Sequence, residues 1–489
     1  MISVFIVSAA LYSLYFFGGA IWNIYYHPLH KIPGPKLWIA FPILRHISLI
    51  RGQLEADIKA FHGKYGKVVR FSTAEVSFIT AKAWREIYND LPKAELSTNV
   101  PLGINNANDK NHRRYRKALA HSFSTKALTT QEPVLIEYTD KLIKRMKGLA
   151  ESQRPADMVK WYNSTTFDLI GDLAFGVSFG NLDTDGYHFW VSNVFQAVRG
   201  IVMGTIKDAY PVLFKLFSFA FGLNRFSDAR ARQLEYSSFT MQNRLAREKP
   251  RDLVDFMDGF LQSKDNITVE EMEANANLLI IAGSDTTATL LSGTTYYLLR
   301  TPRALEKATQ EVRSAFKSEC EINFLNTTAR LPYMIACLSE GMRMYPPVPS
   351  VLQRVAISPE PTEISGYYIS QGTKVGVHQF AANTSPINFY NPDNFIPERW
   401  LPEIKKDPSS PFYNDNRDVC QVFSYGPRDC IGKNLAYAEM RVILARMLWN
   451  FDLEICEESN NWNRQRTFTL WEKSPLMVRL KLREGIEKL

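Results

Sequence analysis

The sequence predicts a mainly α-helical chain with small β-sheets, an α+β fold in which one N-terminal transmembrane helix precedes a single large domain. Three observations lead there. Ile2–Trp22 carries no charged side chain, and roughly 20 such residues suffice to cross a bilayer as a helix. At Thr268 the pattern Thr268-x-x-Glu271 makes a capping box, and the apolar run behind it continues to about Leu299; a helix of that length spans about 45 Å, enough to cross a whole domain. From Val351 to Val377, β-branched runs punctuated by Gly366 and Gly372 predict short strands and hairpins.

The first segment fits a retained anchor better than a cleaved signal, because it lacks a basic leading region and an A-x-A-like exit. Tyr25, Tyr26, His27, His30, Lys31 and Lys36 follow it, an aromatic and then basic border suited to an interface and the cytosolic side. Pro28, Pro33 and Pro35 with Gly34 cannot continue a helix and form a stiff elbow. Beyond it no Gly/Ser linker, repeat or low-complexity tract interrupts the 489 residues, 45% of them hydrophobic. The division is therefore an anchor over 1–24, a proline-rich hinge over 25–36 and one domain over 37–489.

Within that domain, Val68–Thr80 is a short β-rich run and Asn99–Asn111 a polar loop, and residues 112–350 are mostly helical. One helix opens near Pro332 and must stop at Pro346–Pro347, since Pro346 already disfavours helix at Tyr345. A last helix is expected over Lys433–Asn450, followed by strands at Phe468–Leu470 and Leu476–Leu482.

Composition removes several function classes. Net charge is +8, but Lys and Arg are dispersed with no long basic block, so nucleic acid is not the expected partner; the charge suits a solvated surface, or a face that docks an acidic redox protein or anionic lipid. Cys320, Cys337, Cys420, Cys430 and Cys456 are odd in number and form no C-x-x-C pair, against a disulfide framework or zinc site. The N-x-S/T matches at Asn163, Asn266, Asn326 and Asn383 are chance on a cytosolic face. No G-x-G-x-x-G or Walker A loop occurs, so reducing nicotinamide has no recognisable seat on this chain.

Chemistry is concentrated in Phe423-Ser-Tyr-Gly426-Pro-Arg428-Asp-Cys430-Ile-Gly432, which runs into the last helix. A cysteine at a helix entrance sits where unpaired N–H groups and the helix dipole favour the thiolate. Gly426 and Gly432 let backbone approach a flat macrocycle, and Arg428 is placed to meet a carboxylate on it. Taken alone, the cysteine is better read as an inert buried thiol at a helix entrance.

This loop resembles the haem-binding loop of the cytochrome P-450 family, whose pattern F-x-x-G-x-R-x-C-x-G is matched in full. The resemblance makes Cys430 the axial ligand of haem b iron and Phe423, Gly426, Arg428 and Gly432 cofactor contacts. It also gives meaning to Glu340-x-x-Arg343 with Pro397-Glu-Arg399-Trp, which alone is an ordinary surface pair and in the family is a buried Glu340–Arg343–Arg399 support. Ala282-Gly283-Ser284-Asp285-Thr286-Thr287 is on its own a kinked core helix. In the family pattern, Asp285 and Thr286 relay protons to dioxygen, with Gly283 against the cofactor. His112-Arg-Arg-Tyr-Arg116 resembles the W-x-x-x-R helix, so Arg116 and, in the tryptophan's place, His112 would hold a propionate, as would Arg354. Arg113, Arg114 and Lys117 are read as solvated charge.

The stretches HPLHKIPGPKLW and QRTFTLWEKSPLMVRL further resemble filamentous-fungal members of secondary metabolism, similar to trichothecene-pathway hydroxylases. The resemblance implies a monooxygenase using O2 on a hydrophobic small molecule, with NADPH acting only through an NADPH-cytochrome reductase, at the endoplasmic reticulum membrane with a cytosol-facing domain. Substrate walls are expected at Asn99–Asn111, Val194–Gly222, the faces near Ser284 and Thr287, Ser350–Leu352 and Thr467–Thr469. Two rivals remain: a haem-thiolate isomerase or dehydratase that needs no external electrons, and a membrane-anchored haem carrier or sensor.

Overall fold

Thr268 starts the long helix as its sequence predicts. Its hydroxyl accepts from the Glu271 N–H, and the Glu271 carboxylate accepts from the Thr268 N–H at 3.0 Å, satisfying two donors at the helix start. The helix then runs Val269–Leu299 through the interior. In the computed structural model, which describes residues 2–93, 102–184, 199–200, 202–212, 214–215, 224–246 and 255–485, its largest neighbour is helix Met158–Phe175, buried at every residue but Lys160. Gly283 sets their approach: a Cβ there would lie 2.7 Å from Ile170 Cδ1.

Helix Pro332–Met344 packs on the same central helix and ends at Tyr345, where the following prolines require it. The last helix, Lys433–Asn450, has the expected bounds. Together these helices enclose the larger core, with Trp161, Leu290 and Met447 in it.

A second core lies under a four-stranded sheet. Val68–Ser72 pairs antiparallel with Glu75–Phe78, which runs parallel to Lys374–Val377; Arg354–Val355 closes the other edge, antiparallel and opposite Val375 and Lys374. Phe71, Phe78, Trp84 and Val375 fill its underside. Ala156–Asp157, Met477–Leu482 and Phe451–Ile455 form a second sheet. The strand expected at Phe468–Leu470 is instead a hairpin tip. Arg466–Phe468 pairs with Leu470–Glu472, and Thr469 turns between them at φ +72°, a conformation rarely adopted by β-branched residues.

The N-terminal helix covers Ile2–Tyr25. Among the described residues Ile6–Tyr25 is the one stretch long and apolar enough to cross a membrane, by length and composition. Arg70, wholly buried, ties its end to the sheet by donating to the carbonyls of Asn23 and Thr73. The polar loop expected through Asn111 ends earlier, because Asn108 caps helix Asp109–Ala120; residues 99–101 of that loop lie outside the described residues. Asn163 and Asn383 are fully buried, so those two sequons cannot carry a glycan in the fold.

Candidate active site

The Cys430 loop is closed by its own backbone. The Cys430 N–H donates to the Phe423 carbonyl at 2.8 Å, and the Asp429 N–H to Gly426 at 3.0 Å. The Phe423 ring packs 5.0 Å from Tyr437 on the last helix. Gly426 has φ +75°, and a Cβ there would lie 2.6 Å from the Tyr88 carbonyl oxygen. Glycine here also lets the loop seat on helix Ala81–Tyr88. Gly432 caps the last helix, and a Cβ on it would make only ordinary contact with Phe123.

Cys430 is exposed, yet desolvation is the main influence on its thiol. Both hold if the sulfur faces an opening deep inside the protein. Burial pushes the thiol up, and the Gly432 N–H, Arg116 and Lys433 only partly pull it back. The positive charge of a bound metal would favour the thiolate beyond what the helix entrance supplies.

Four segments bring cations to this place. Arg116 donates to the Asp429 carbonyl at 2.7 Å and to its carboxylate at 2.5 Å. Arg428 reaches Asp109 at 2.7 Å and the Ala107 carbonyl at 2.8 Å, leaving Nη1 without a partner. Arg354, buried on its strand, lies 4.8 Å over the Tyr88 ring, makes only long bonds of 3.3 and 3.4 Å to its neighbours' carbonyls, and leaves Nε unmatched. His112 is buried, and desolvation followed by Arg428 and Arg116 lowers it to about 4, so at neutral pH its ring is uncharged and has one N–H.

Lys93 was not legible as a member. Its ammonium bonds Asn105 at 2.5 and 2.6 Å, and burial together with Arg354 and Arg428 lowers it to about 7. So many neighbouring cations, two with buried unpaired donors, fit a dianion such as the two propionates of haem.

On the central helix the Thr286 hydroxyl, half-exposed, donates to the Ala282 carbonyl at 2.5 Å, and Ala282 itself is exposed although mid-helix. Asp285 is buried and ion-paired with Lys473 at 2.5 Å, while Lys473 also donates to Thr289 at 2.5 Å. Sequence gave no hint of Lys473. Ser284 and Thr287, expected to face substrate, are buried: Ser284 bonds the Ile280 carbonyl, and Thr287 bonds Glu439 on the last helix. Burial pushes Glu439 up to about 8. Residues 194–198 and 216–222 of the expected walls lie outside the described residues.

The support is tight. Glu340 and Arg343 form a two-point pair at 2.8 Å, Arg399 adds a bond at 3.1 Å, and all three are fully buried. Ile396 N–H and Trp400 Nε1 also donate to Glu340, and Asp415 pairs with Arg399. Burial opposes its charge, but Arg343 and Arg399 hold the Glu340 carboxyl below its ordinary value. One expectation fails: Arg114 is not solvated charge but binds Glu271, Asn111 and the Asp265 and Asn266 carbonyls, fixing its helix to the start of the central one.

An exposed Cys430 thiol with an arginine-rich rim, a helix that carries an acid and an alcohol, and a buried Glu–Arg–Arg support are the parts expected of a haem-thiolate oxygenase. The Cytochrome P450 family profile matches residues 32–480. The chain is 54% identical to the cytochrome P450 monooxygenase olcB of Penicillium canescens, over 99% of this chain and 100% of that one. It is 51% identical to the trichothecene C-4 hydroxylase of Trichoderma arundinaceum over 94% and 93%, and 40% identical to the cytochrome P450 monooxygenase dtxS2 of Metarhizium robertsii over 95% and 92%. The chain belongs to the cytochrome P450 family and is a monooxygenase; the family implies a haem cofactor.

Proposed function

We propose that this protein places one oxygen atom of O2 into a hydrophobic small molecule of fungal secondary metabolism, by hydroxylation or a related oxidation, with electrons from NADPH-cytochrome reductase. The reaction balances as substrate C–H, O2, NADPH and a proton giving alcohol, water and NADP+. The observation that carries it is the exposed Cys430 thiol beside the cationic rim of Arg116, Arg354 and Arg428. Cys430 would hold haem b, and Arg116, Arg354, Arg428 and His112 would meet its propionates; bound there, the group would supply dioxygen binding and activation.

The chain's own residues do the rest. Glu340, Arg343 and Arg399 hold the segment behind the cysteine loop. Thr286 presents a hydroxyl at the opening, and Asp285 supplies protons to it from the buried side. Residues 1–24 anchor the chain in the endoplasmic reticulum membrane, 25–36 form the hinge, and 37–489 face the cytosol, where the reductase docks on basic surface near Cys430.

Two measurements test this. The carbon monoxide difference spectrum of the reduced protein should show a thiolate-type band that Cys430→Ser abolishes; survival of that band removes Cys430 as ligand. Coexpression with neighbouring biosynthetic genes should yield an oxygenated product that depends on reductase and NADPH. Product from a hydroperoxide without electrons would establish the isomerase reading instead.

A further inference from the structure

Asp285 and Thr286 are adjacent on a helix, so their side chains leave it about 100° apart. Thr286 stands at the opening with its hydroxyl on Ala282, whereas Asp285 points into a fully packed region and meets Lys473. We propose that Lys473 is a positioning residue for proton delivery: it holds Asp285 in a buried ion pair off the oxygen-facing side, and Asp285 passes a proton toward Thr286 only when that pair opens. This rests on the reading of Asp285 and Thr286 as the proton-delivering pair.

The pair is costly where it lies. The two side chains are 1% and 2% exposed, and removing both charges from water offsets most of their attraction. Packing alone gives no reason for a lysine at this point. Lys473 also spans two turns of the helix, Asp285 and Thr289, so the ammonium is fixed along the face that bears the acid. While the pair is closed, the Asp285 Oδ1 is engaged by that ammonium.

The lysine is delivered by a separate element. It directly follows the hairpin Arg466–Phe468 and Leu470–Glu472, and the preceding Glu472 pairs with Arg466 at 2.8 Å and with Arg199. Consecutive residues thus tie the hairpin outward to Arg199 and inward to Asp285. A displacement of the hairpin that loosens Glu472 also draws Lys473 from Asp285, linking movement near Arg199 to release of the acid.

The test uses the full-length haem-loaded protein with NADPH-cytochrome reductase, NADPH and O2, without added substrate. One NADPH and one proton convert O2 to hydrogen peroxide when the O–O bond survives. Two NADPH and two protons give two waters when a proton reaches the distal oxygen. Lys473→Met, which leaves the pair permanently open, should lower hydrogen peroxide per NADPH by at least about threefold and alter its pH profile, and Lys473→Arg should return the ratio to within about twofold of the parent. In an Asp285→Asn background, Lys473→Met should add nothing further.

An unchanged ratio in Lys473→Met overturns the proposal, and so does an additive effect on Asp285→Asn. If Lys473→Met and Lys473→Gln both lose the thiolate-type carbon monoxide band, Lys473 belongs to the fold and the proposal is equally overturned. An unchanged ratio in Thr286→Ala identifies a different failure, that of the underlying acid–alcohol reading.

Discussion

Around Glu340 each guanidinium donor has an acceptor and each charge a counter-charge, whereas around Cys430 Arg428 and Arg354 keep buried donors with no partner. Both regions draw on arginines from distant segments. The first is complete as protein and can act only as support. The second leaves clustered donors that an anion would complete, which suits it to a ligand. The same residue type therefore serves structure or binding according to whether its hydrogen bonds close within the chain.

Breaking the closed region should have the largest effect. Glu340→Gln leaves Arg343 and Arg399 facing a neutral amide in a fully buried place, so stability should fall by about 3–5 kcal/mol. Chemical denaturation of the purified protein reads this, and the thiolate-type carbon monoxide band should be lost with it. An equally stable variant would mean that the cluster is not supporting the fold.

The open region should respond more gently and in a different quantity. Arg428→Ala removes a charge-assisted contact to the cofactor, worth about 1.5–3 kcal/mol or roughly 10–100-fold in haem retention, with little change in the unfolding of the haem-free chain. Haem transfer to apomyoglobin measures the first and denaturation the second. A change in folding stability without a change in transfer rate would assign Arg428 to Asp109 alone.

Glu439 sharpens the contrast, as a buried carboxyl with one oxygen unmatched and the Thr287 hydroxyl on the carboxyl. Its folded value is raised from 4.5 to about 8, so between those values the folded state holds a proton that the unfolded state has released. The stability it contributes is therefore present at low pH and lost as pH rises toward 8. Denaturation midpoints of Glu439→Gln should fall less than those of the parent between pH 5 and 8. Parallel curves would show that Glu439 is ionised in the fold.

The smallest effect belongs to the surface. Lys117 pairs with Asp265 at 3.2 Å but is 75% exposed, so Lys117→Ala should cost less than about 0.5 kcal/mol. Arg114, three residues earlier on the same helix, has bonds to Glu271 and two carbonyls and should cost several times more. Equal effects in thermal unfolding would remove that distinction.

Much of the site was legible because its chemistry is local in the chain. The spacing from Phe423 to Gly432 names the thiol loop, and Glu340 with Arg343 lies on one helix face. What the spacing did not carry was surroundings. The glycines of these motifs also meet Tyr88 and Ile170, and a motif records that a Cβ is excluded but not every group that excludes it. Arg114 was misread because its partners other than Asn111 lie some 150 residues away.

The sequence by itself determined the long capped helix, the proline stop, the last helix, the thiol loop and the family, since capping, steric exclusion and short motifs act between near neighbours. Only the tertiary structure decided which charges are closed and which are open. It placed Lys473 on Asp285 across 188 residues, set Lys93 among the arginines, and turned Thr287 from the opening toward Glu439. Desolvation and pairing depend on which surfaces meet, and no local pattern carries that information.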